Sequence, residues 1–164
     1  MTTIHVDGDA CPVRDEVYRV AGRLNLPVVV VANGSRPIRP PELANVRMQL
    51  VSEGADAADD WIVDHIGRGD VCVTSDIPLA ARCLEKGARA LSPKGHDWTL
   101  DNIGSAMAGR AVGEHLRATG RMTGGPATMQ KQDRSRFLAA LDAAVQAAMR
   151  DLAALPARPW VSFE

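Results

Sequence analysis

The run IHVDGDACPVRDEVYRV, residues 4–20, decides the fold, because a buried strand ends in it and a helix begins in it. Alternating apolar residues predict a strand over residues 3–6, and Pro12 suits the first turn of a helix, where its missing N–H would be unpaired anyway. Asp7 and Asp9 stand between the two elements. Two carboxylates this close repel each other unless water screens them or a cation joins them.

The composition is that of a soluble globular domain. The chain has 164 residues, of which 46% are hydrophobic and 24% charged, and this predicts one domain. A net charge of −1 gives no bulk positive field for nucleic acid, although a local basic patch can still bind it. Cys11, Cys72 and Cys83 form no CxxC pair, which disfavours a disulfide framework or a zinc site. Without a secretory signal or an apolar run longer than residues 27–32, we expect a cytoplasmic protein.

Strands and helices alternate along the rest of the chain. Strands are predicted at 3–6, 27–32, 46–51, 70–74 and 88–91, and helices at 12–24, 55–66, 78–86, 99–118 and from Asp133, as N-cap, to about 152. This order predicts an α/β fold, a Rossmann-like three-layer arrangement of a mostly parallel sheet with helices on both faces. The predicted domain covers residues 1–153, with a core at 3–92, a C-terminal helical part at 99–153 and a loosely ordered tail at 154–164.

Acidic residues follow two of the predicted strands. In an open parallel sheet, ligands bind beyond the carboxyl ends of the strands, where the strand order reverses. Asp7 and Asp9 follow the first strand and Asp76 follows the fourth, so they converge if these strands are neighbours. Such a cluster favours a hard cation such as Mg²⁺ or Mn²⁺. Asp56 and Asp59 share a helix face near its start, although acids there can also face solvent and complement the helix dipole.

Polar residues in the same loops are candidates for contact with a phosphate. The candidate substrate-binding residues are Asn33, Ser35, Thr74, Ser75, Lys94 and Arg134. Thr74 and Ser75 could instead hydrogen-bond a ligating carboxylate. The backbone of residues 123–125, in a Gly-Pro loop, could cradle an anion. The alternative is a simple turn, with the basic residues as ordinary solvated charges. Only 4% of the residues are aromatic, so no platform for base stacking is visible.

Several short motifs together resemble a known family. VDGDACP, GADAADDWI, TSDIPLA, SPKG and TGGP followed by QDRSRF are similar to the YaiI/YqxD family of small bacterial proteins, over about residues 3–150. That family is similar to PIN-like domains, in which acids at strand ends bind divalent metal for RNA cleavage. The resemblance implies an acidic centre of Asp7, Asp9, Asp56, Asp59 and Asp76. Asp60 and Asp64 are expected to face solvent and lie outside it.

The function expected from the residues and the resemblance is a phosphodiesterase that depends on Mg²⁺ or Mn²⁺, above all a ribonuclease acting on RNA rather than DNA. Asp7, Asp9 and Asp76 are its expected catalytic residues. A haloacid-dehalogenase-like phosphatase is an alternative, with Asp7 as covalent nucleophile, although no acidic pair follows Lys94 to complete its metal site. A non-catalytic RNA- or protein-binding module is a second alternative.

Overall fold

A six-stranded sheet lies between two layers of helices in the computed structural model. The structure describes residues 1–8, 11–34, 38–52, 54, 56–118 and 129–154, and for residues 110–118 only the backbone. Its strands are β1 (Ile4–Asp7), β2 (Val28–Asn33), β3 (Val46–Val51), β4 (Val71–Val73), β5 (Arg89–Leu91) and β6 (Asp97–Trp98). Its helices are α1 (Arg14–Leu24), α2 (Ala57–His65), α3 (Ile77–Glu85), α4 (Leu100–Ala118) and α5 (Lys131–Ala153). The predicted α/β class is confirmed.

The strand order is β3-β2-β1-β4-β5-β6. The chain runs outward from β1 through β2 to β3 and then crosses back to β4, so the order reverses between β1 and β4. Both β2 and β4 pair with β1 in parallel, and the register places Asp7 beside Val31 and Val6 beside Val73. The strands before Asp7 and before Asp76 are therefore neighbours at the switch point, as the convergence of acids requires.

Alternate residues of the strands face opposite helical layers. Ile4 and Val6 of β1 lie in the core shared with α1 and α5, whereas Val31 and Cys72 of the neighbouring strands lie in the core shared with α2 and α3. Because the side chains of a strand alternate, Asp7 lies on the same face as Val31. The first turn of α2 lies over that face.

The start of α5 differs from the sequence prediction. The helix begins at Lys131 with Gln130 as N-cap, whereas Asp133 was predicted to be the N-cap. Asp133 is the third residue of the helix, and its Oδ2 accepts a hydrogen bond from the backbone N–H of Gln130 at 2.9 Å. An acid at this position reaches back to the cap residue, so it stabilises the same helix end from one turn inside.

The C-terminal helix α5 completes the core that the sheet shares with α1 and α5, here called the first core. Phe137, Leu141, Val145 and Ala148 of α5 are fully buried against α1 and the sheet. The last strand, β6, was not predicted; it pairs antiparallel with β5 through two residues only. Of the predicted tail, residues 155–164 lie outside the described residues. Within the part of the chain that is described, no helix has the length and apolar character needed to cross a membrane.

Candidate acidic site

Asp7 stands at the carboxyl end of β1 and is almost fully buried, with 7% of its surface exposed. Its Oδ2 accepts a hydrogen bond of 3.0 Å from the hydroxyl of Thr74. Thr74 directly follows β4 and is 1% exposed. The hydrogen bond therefore crosses the switch point and holds the carboxylate in a fixed orientation at the edge of the sheet.

Asp76 is joined to Asp7 through the same hydroxyl. The Oγ1 of Thr74 accepts a hydrogen bond from the backbone N–H of Asp76 at 2.9 Å, while it donates to Asp7. The Oδ1 of Asp76 accepts from the backbone N–H of Leu79 at 3.0 Å, which makes Asp76 the N-cap of α3. Asp76 thus has a structural role in α3 and also lies close to the buried carboxylate of β1.

Asp59 brings a third carboxylate to this edge from α2. The pKa of Asp59 is raised to about 7, first by burial and then, in decreasing order of size, by the negative charges of Asp76, Asp7 and Asp56. The guanidinium of Arg82 acts in the opposite direction. Acids from three elements therefore interact across the switch point. Their combined effect on the pKa of Asp59 is larger than the opposing effect of Arg82.

The other acids at or near the start of α2 are exposed, and a role of Asp56 in holding metal stays a prediction. Asp56 occupies the N-cap position of α2 and is exposed, without a capping hydrogen bond from its side chain. Asp60 and Asp64 are exposed on the outer side of the helix, and Asp60 forms an ion pair of 3.0 Å with Arg82. The prediction that Asp60 and Asp64 face solvent is confirmed.

Asn33 lies at the same edge, at the end of β2. It stands two residues beyond Val31, the neighbour of Asp7 in the sheet. Its side-chain amide donates to the carbonyl oxygen of Gly54 at 3.3 Å, in the loop that leads into α2. This contact helps to hold the start of α2, and with it Asp59, over the edge of the sheet. Contact between Asn33 and a substrate stays a prediction.

The residues predicted to contact phosphate differ in their environment. Ser75 and Lys94 are exposed, in the segments that follow β4 and β5 at the acidic edge. Arg134, near the start of α5, donates from Nη1 to the carbonyl oxygen of Pro12 at 3.0 Å and to Glu16 at 3.2 Å. These bonds tie α5 to the start of α1, so Arg134 has a structural role, while its contact with phosphate stays a prediction.

The carboxylates suit a divalent cation by their chemistry, since hard cations take oxygen ligands. Within the described residues, however, no three His, Cys, Asp or Glu side chains are close enough together to hold a metal ion. Asp9 and Ser35 lie outside the described residues, as do residues 123–125. Asp7, Asp59 and Asp76 therefore do not form a complete ligand set by themselves.

Cys11 and Arg82 lie near the acidic cluster, and each affects which reactions the site could support. Burial raises the pKa of the Cys11 thiol to about 11, so Cys11 is a neutral thiol at neutral pH and not a poised nucleophile. Arg82 was not predicted as part of the site. The sequence nevertheless placed it on the helix that begins directly after Asp76, which could have indicated a cation near the acids. Among the described residues, the arrangement is a cluster of carboxylate oxygens whose negative charge Arg82 partly compensates.

Comparison with known proteins identifies close relatives across most of the chain. The model of the family described as the uncharacterised YaiI/YqxD family matches residues 5–147. A UPF0178 protein of Rhodospirillum rubrum is 50% identical over 147 residues, which cover 90% of this chain and 97% of the relative. A UPF0178 protein of Paramagnetospirillum magneticum is 52% identical over 150 residues, which cover 92% and 98%. No solved structure matches the chain. The chain belongs to the YaiI/YqxD family.

Proposed function

We propose that this protein is a divalent-metal-dependent phosphodiesterase that cleaves RNA in preference to DNA. The observation that supports it is the electrostatic interaction of Asp59 on α2 with Asp7 of β1 and Asp76 before α3, beside the switch point of the sheet. Ligand sites of open α/β sheets lie at such points. Asp9 and Asp56 complete the proposed set of metal-holding residues.

The electrostatics of the cluster favour a cation. A carboxylate with a pKa near 7 is held in a surrounding that penalises its negative charge, here by burial and by three other acids. Mg²⁺ or Mn²⁺ would neutralise these charges and would bind to the oxygen donors that they prefer. Because Asp59 must give up its proton to act as a ligand, metal binding should strengthen as the pH rises through about 7.

The chain's own residues have distinct parts in the proposed reaction. A bound divalent cation would supply an activated water and charge stabilisation on the phosphate. Thr74 orients Asp7 through its hydroxyl, and the N–H of Leu79 orients Asp76. Both carboxylates are therefore held in place before substrate arrives. Lys94 and Ser75, exposed beside this edge, are available to bind phosphate oxygens.

The preference for RNA and the location of the protein are separate parts of the proposal. The preference for RNA is supported by the resemblance of the family to PIN-like domains, and it rests on that resemblance because one fold hosts many functions. A cytoplasmic location is supported by the three cysteines, which are all buried and free.

An RNA cleavage assay tests the proposed function. The parent protein, with Mn²⁺, should cut a panel of single-stranded and structured RNAs, and chelation should abolish the activity. Asp7→Asn keeps an acceptor for Thr74 but removes the charge, so we expect activity to fall at least about 100-fold. Asp64→Asn, which removes an exposed acid from α2, is the matched control and should cut at the parent rate.

The same assay separates the two alternatives. Hydrolysis of small phosphomonoesters without RNA cleavage, together with a beryllofluoride adduct on Asp7, would favour the phosphatase. RNA binding that survives Asp7→Asn, with no cleavage by the parent, would favour a binding module. Either result would overturn the proposal of a nuclease.

A further inference from the structure

The strand β3 forms one outer edge of the sheet. It pairs with β2 over all six residues from Val46 to Val51, and no strand among the described residues pairs with its other side. The opposite edge is β6, which has only two residues. The β3 edge is thus three times as long, and a long edge is a ready template for another strand.

The hydrogen-bond pattern shows which backbone groups of β3 point outward. The N–H of Val28 donates to the carbonyl oxygen of Asn45, and the N–H of Gly34 donates to that of Val51. Odd-numbered residues of β3 therefore direct their backbone groups toward β2. Because these groups alternate along a strand, the even-numbered residues direct theirs away from the sheet.

The outward groups are centred on Met48. Val46, Met48 and Leu50 carry the outward N–H and C=O groups. Two of these groups already have local partners: the N–H of Val46 donates to Leu43, and the carbonyl oxygen of Leu50 accepts from the side chain of Gln49. A second strand that pairs with this edge would replace these two local contacts.

The side chains beside this edge are more apolar than an edge strand normally allows. Leu50 is 59% exposed and Leu43, just before the strand, is 43% exposed. Val46 and Met48 are half-buried beside the first core, on the face that Leu50 shares with them. The strand holds no proline, and Arg47 is its one charged residue. Prolines and charged residues are the usual means by which an edge strand avoids pairing with another chain.

We propose that β3 is a self-association surface, on which β3 of a second copy pairs antiparallel about a two-fold axis through Met48. In this register Met48 faces Met48, and Val46 faces Leu50 of the second copy. Arg47 faces Gln49 of the second copy. The outward N–H and C=O of Met48 are then exchanged between the two chains, which joins the two sheets into one.

The sequence of the strand is complementary to itself in this register, which selects a second copy as the occupant. Apolar residues meet apolar residues on one face, and on the other face Arg47 meets an amide and not a second cation. Two like charges that face each other across the strands would destabilise the pair. Since the contact is mainly one strand wide, it buries less than a standard interface, and we expect a dimer that dissociates on dilution.

Sedimentation at increasing protein concentration tests the proposal. The parent should pass from monomer to dimer, and Leu50→Lys should raise the dissociation constant at least about tenfold, because it replaces two symmetric apolar pairs with charge. Leu100→Lys makes the same change at a residue that is 65% exposed at the start of α4, and it should dimerise like the parent. A monomer at up to about 1 mM, or equal effects of the two variants, would overturn the proposal.

Thiol cross-linking tests the register without disturbing the charge. Directly opposite residues of a hydrogen-bonded antiparallel pair have Cα atoms about 5.5 Å apart, within reach of a disulfide. Met48→Cys should therefore form a covalent dimer on oxidation, whereas Leu100→Cys should not. The natural cysteines are buried, so the parent provides the background. A folded Met48→Cys that stays monomeric would exclude this register, and neither test depends on nuclease activity.

Discussion

Asp59 shows at the scale of one residue that the acidic edge is under electrostatic strain. Its pKa is raised from the ordinary 3.8 to about 7. Between these values the unfolded chain loses the proton while the folded chain keeps it, so the folded state becomes less favoured as the pH rises. Above about pH 7 both states have lost it, and the penalty reaches its full value.

The first prediction concerns this penalty in chelated buffer. Asp59→Asn should gain stability relative to the parent between about pH 4 and 7, by about 1–2 kcal/mol after allowance for solvent screening, and the difference should then level off. Chemical denaturation at a series of pH values measures it. Asp64→Asn controls for loss of one charge on α2. A constant difference between Asp59→Asn and the parent across this range would contradict the interpretation.

Thr74 is the second residue on which the site depends. Its hydroxyl donates to buried Asp7 and accepts from the N–H of Asp76. Thr74→Val keeps the shape but removes both bonds, so it should lower the free energy of unfolding by about 1–3 kcal/mol. Thr2→Val is the control, because Thr2 is also buried but its hydroxyl has no partner within the described residues. Equal effects of both variants on urea unfolding would refute this role.

At the scale of elements, the turn after β1 determines how closely the acidic edge packs. A Cβ at Gly8 would lie 2.7 Å from Cδ1 of Ile38 and 2.9 Å from the carbonyl oxygen of Val31. The carbonyl belongs to the neighbouring strand and cannot move without disturbing the sheet. Gly8 is thus required by close approach, and it allows β1 to end beside β2 with Asp7 still in the sheet.

The third prediction compares two glycines. Gly8→Ala should lower the free energy of unfolding by about 1–3 kcal/mol through overpacking. Gly22→Ala lies in the exposed part of α1, and among the described residues nothing beyond its chain neighbours and the nearby helix backbone comes within 4 Å of the added Cβ, so it should raise this free energy by about 0.5–1 kcal/mol. Thermal unfolding of both variants measures the pair. A stabilising Gly8→Ala would show that the turn has more room than the structure gives it.

The sequence predicted long elements better than short ones. The apolar run of β2 and the period of α5 are strong local signals, and both elements are present. A two-residue strand such as β6 has no periodicity of its own, because its pairing with β5 alone defines it. The predicted N-cap of α5 was wrong because aspartate stabilises a helix start both at the N-cap and at the third helical position, which Asp133 occupies.

At the scale of the whole molecule, the candidate site follows from the strand order. Motifs predicted acids at the ends of two strands, but only the topology makes β1 and β4 neighbours. The bond between Thr74 and Asp7 joins residues 67 positions apart, and the position of Asp59 depends on how α2 packs. Such distances are set by tertiary packing, so the local pattern named candidate residues but could not show how close they lie to one another or to Arg82.

The most direct measurement is a calorimetric Mn²⁺ titration of the parent, Asp76→Asn and Asp64→Asn. Asn caps a helix about as well as Asp, so Asp76→Asn should leave α3 intact. If the acids at the switch point bind a divalent cation, the parent binds Mn²⁺, Asp64→Asn binds it equally, and Asp76→Asn binds it at least about tenfold more weakly. No binding by the parent, or equal binding by all three, would contradict the account.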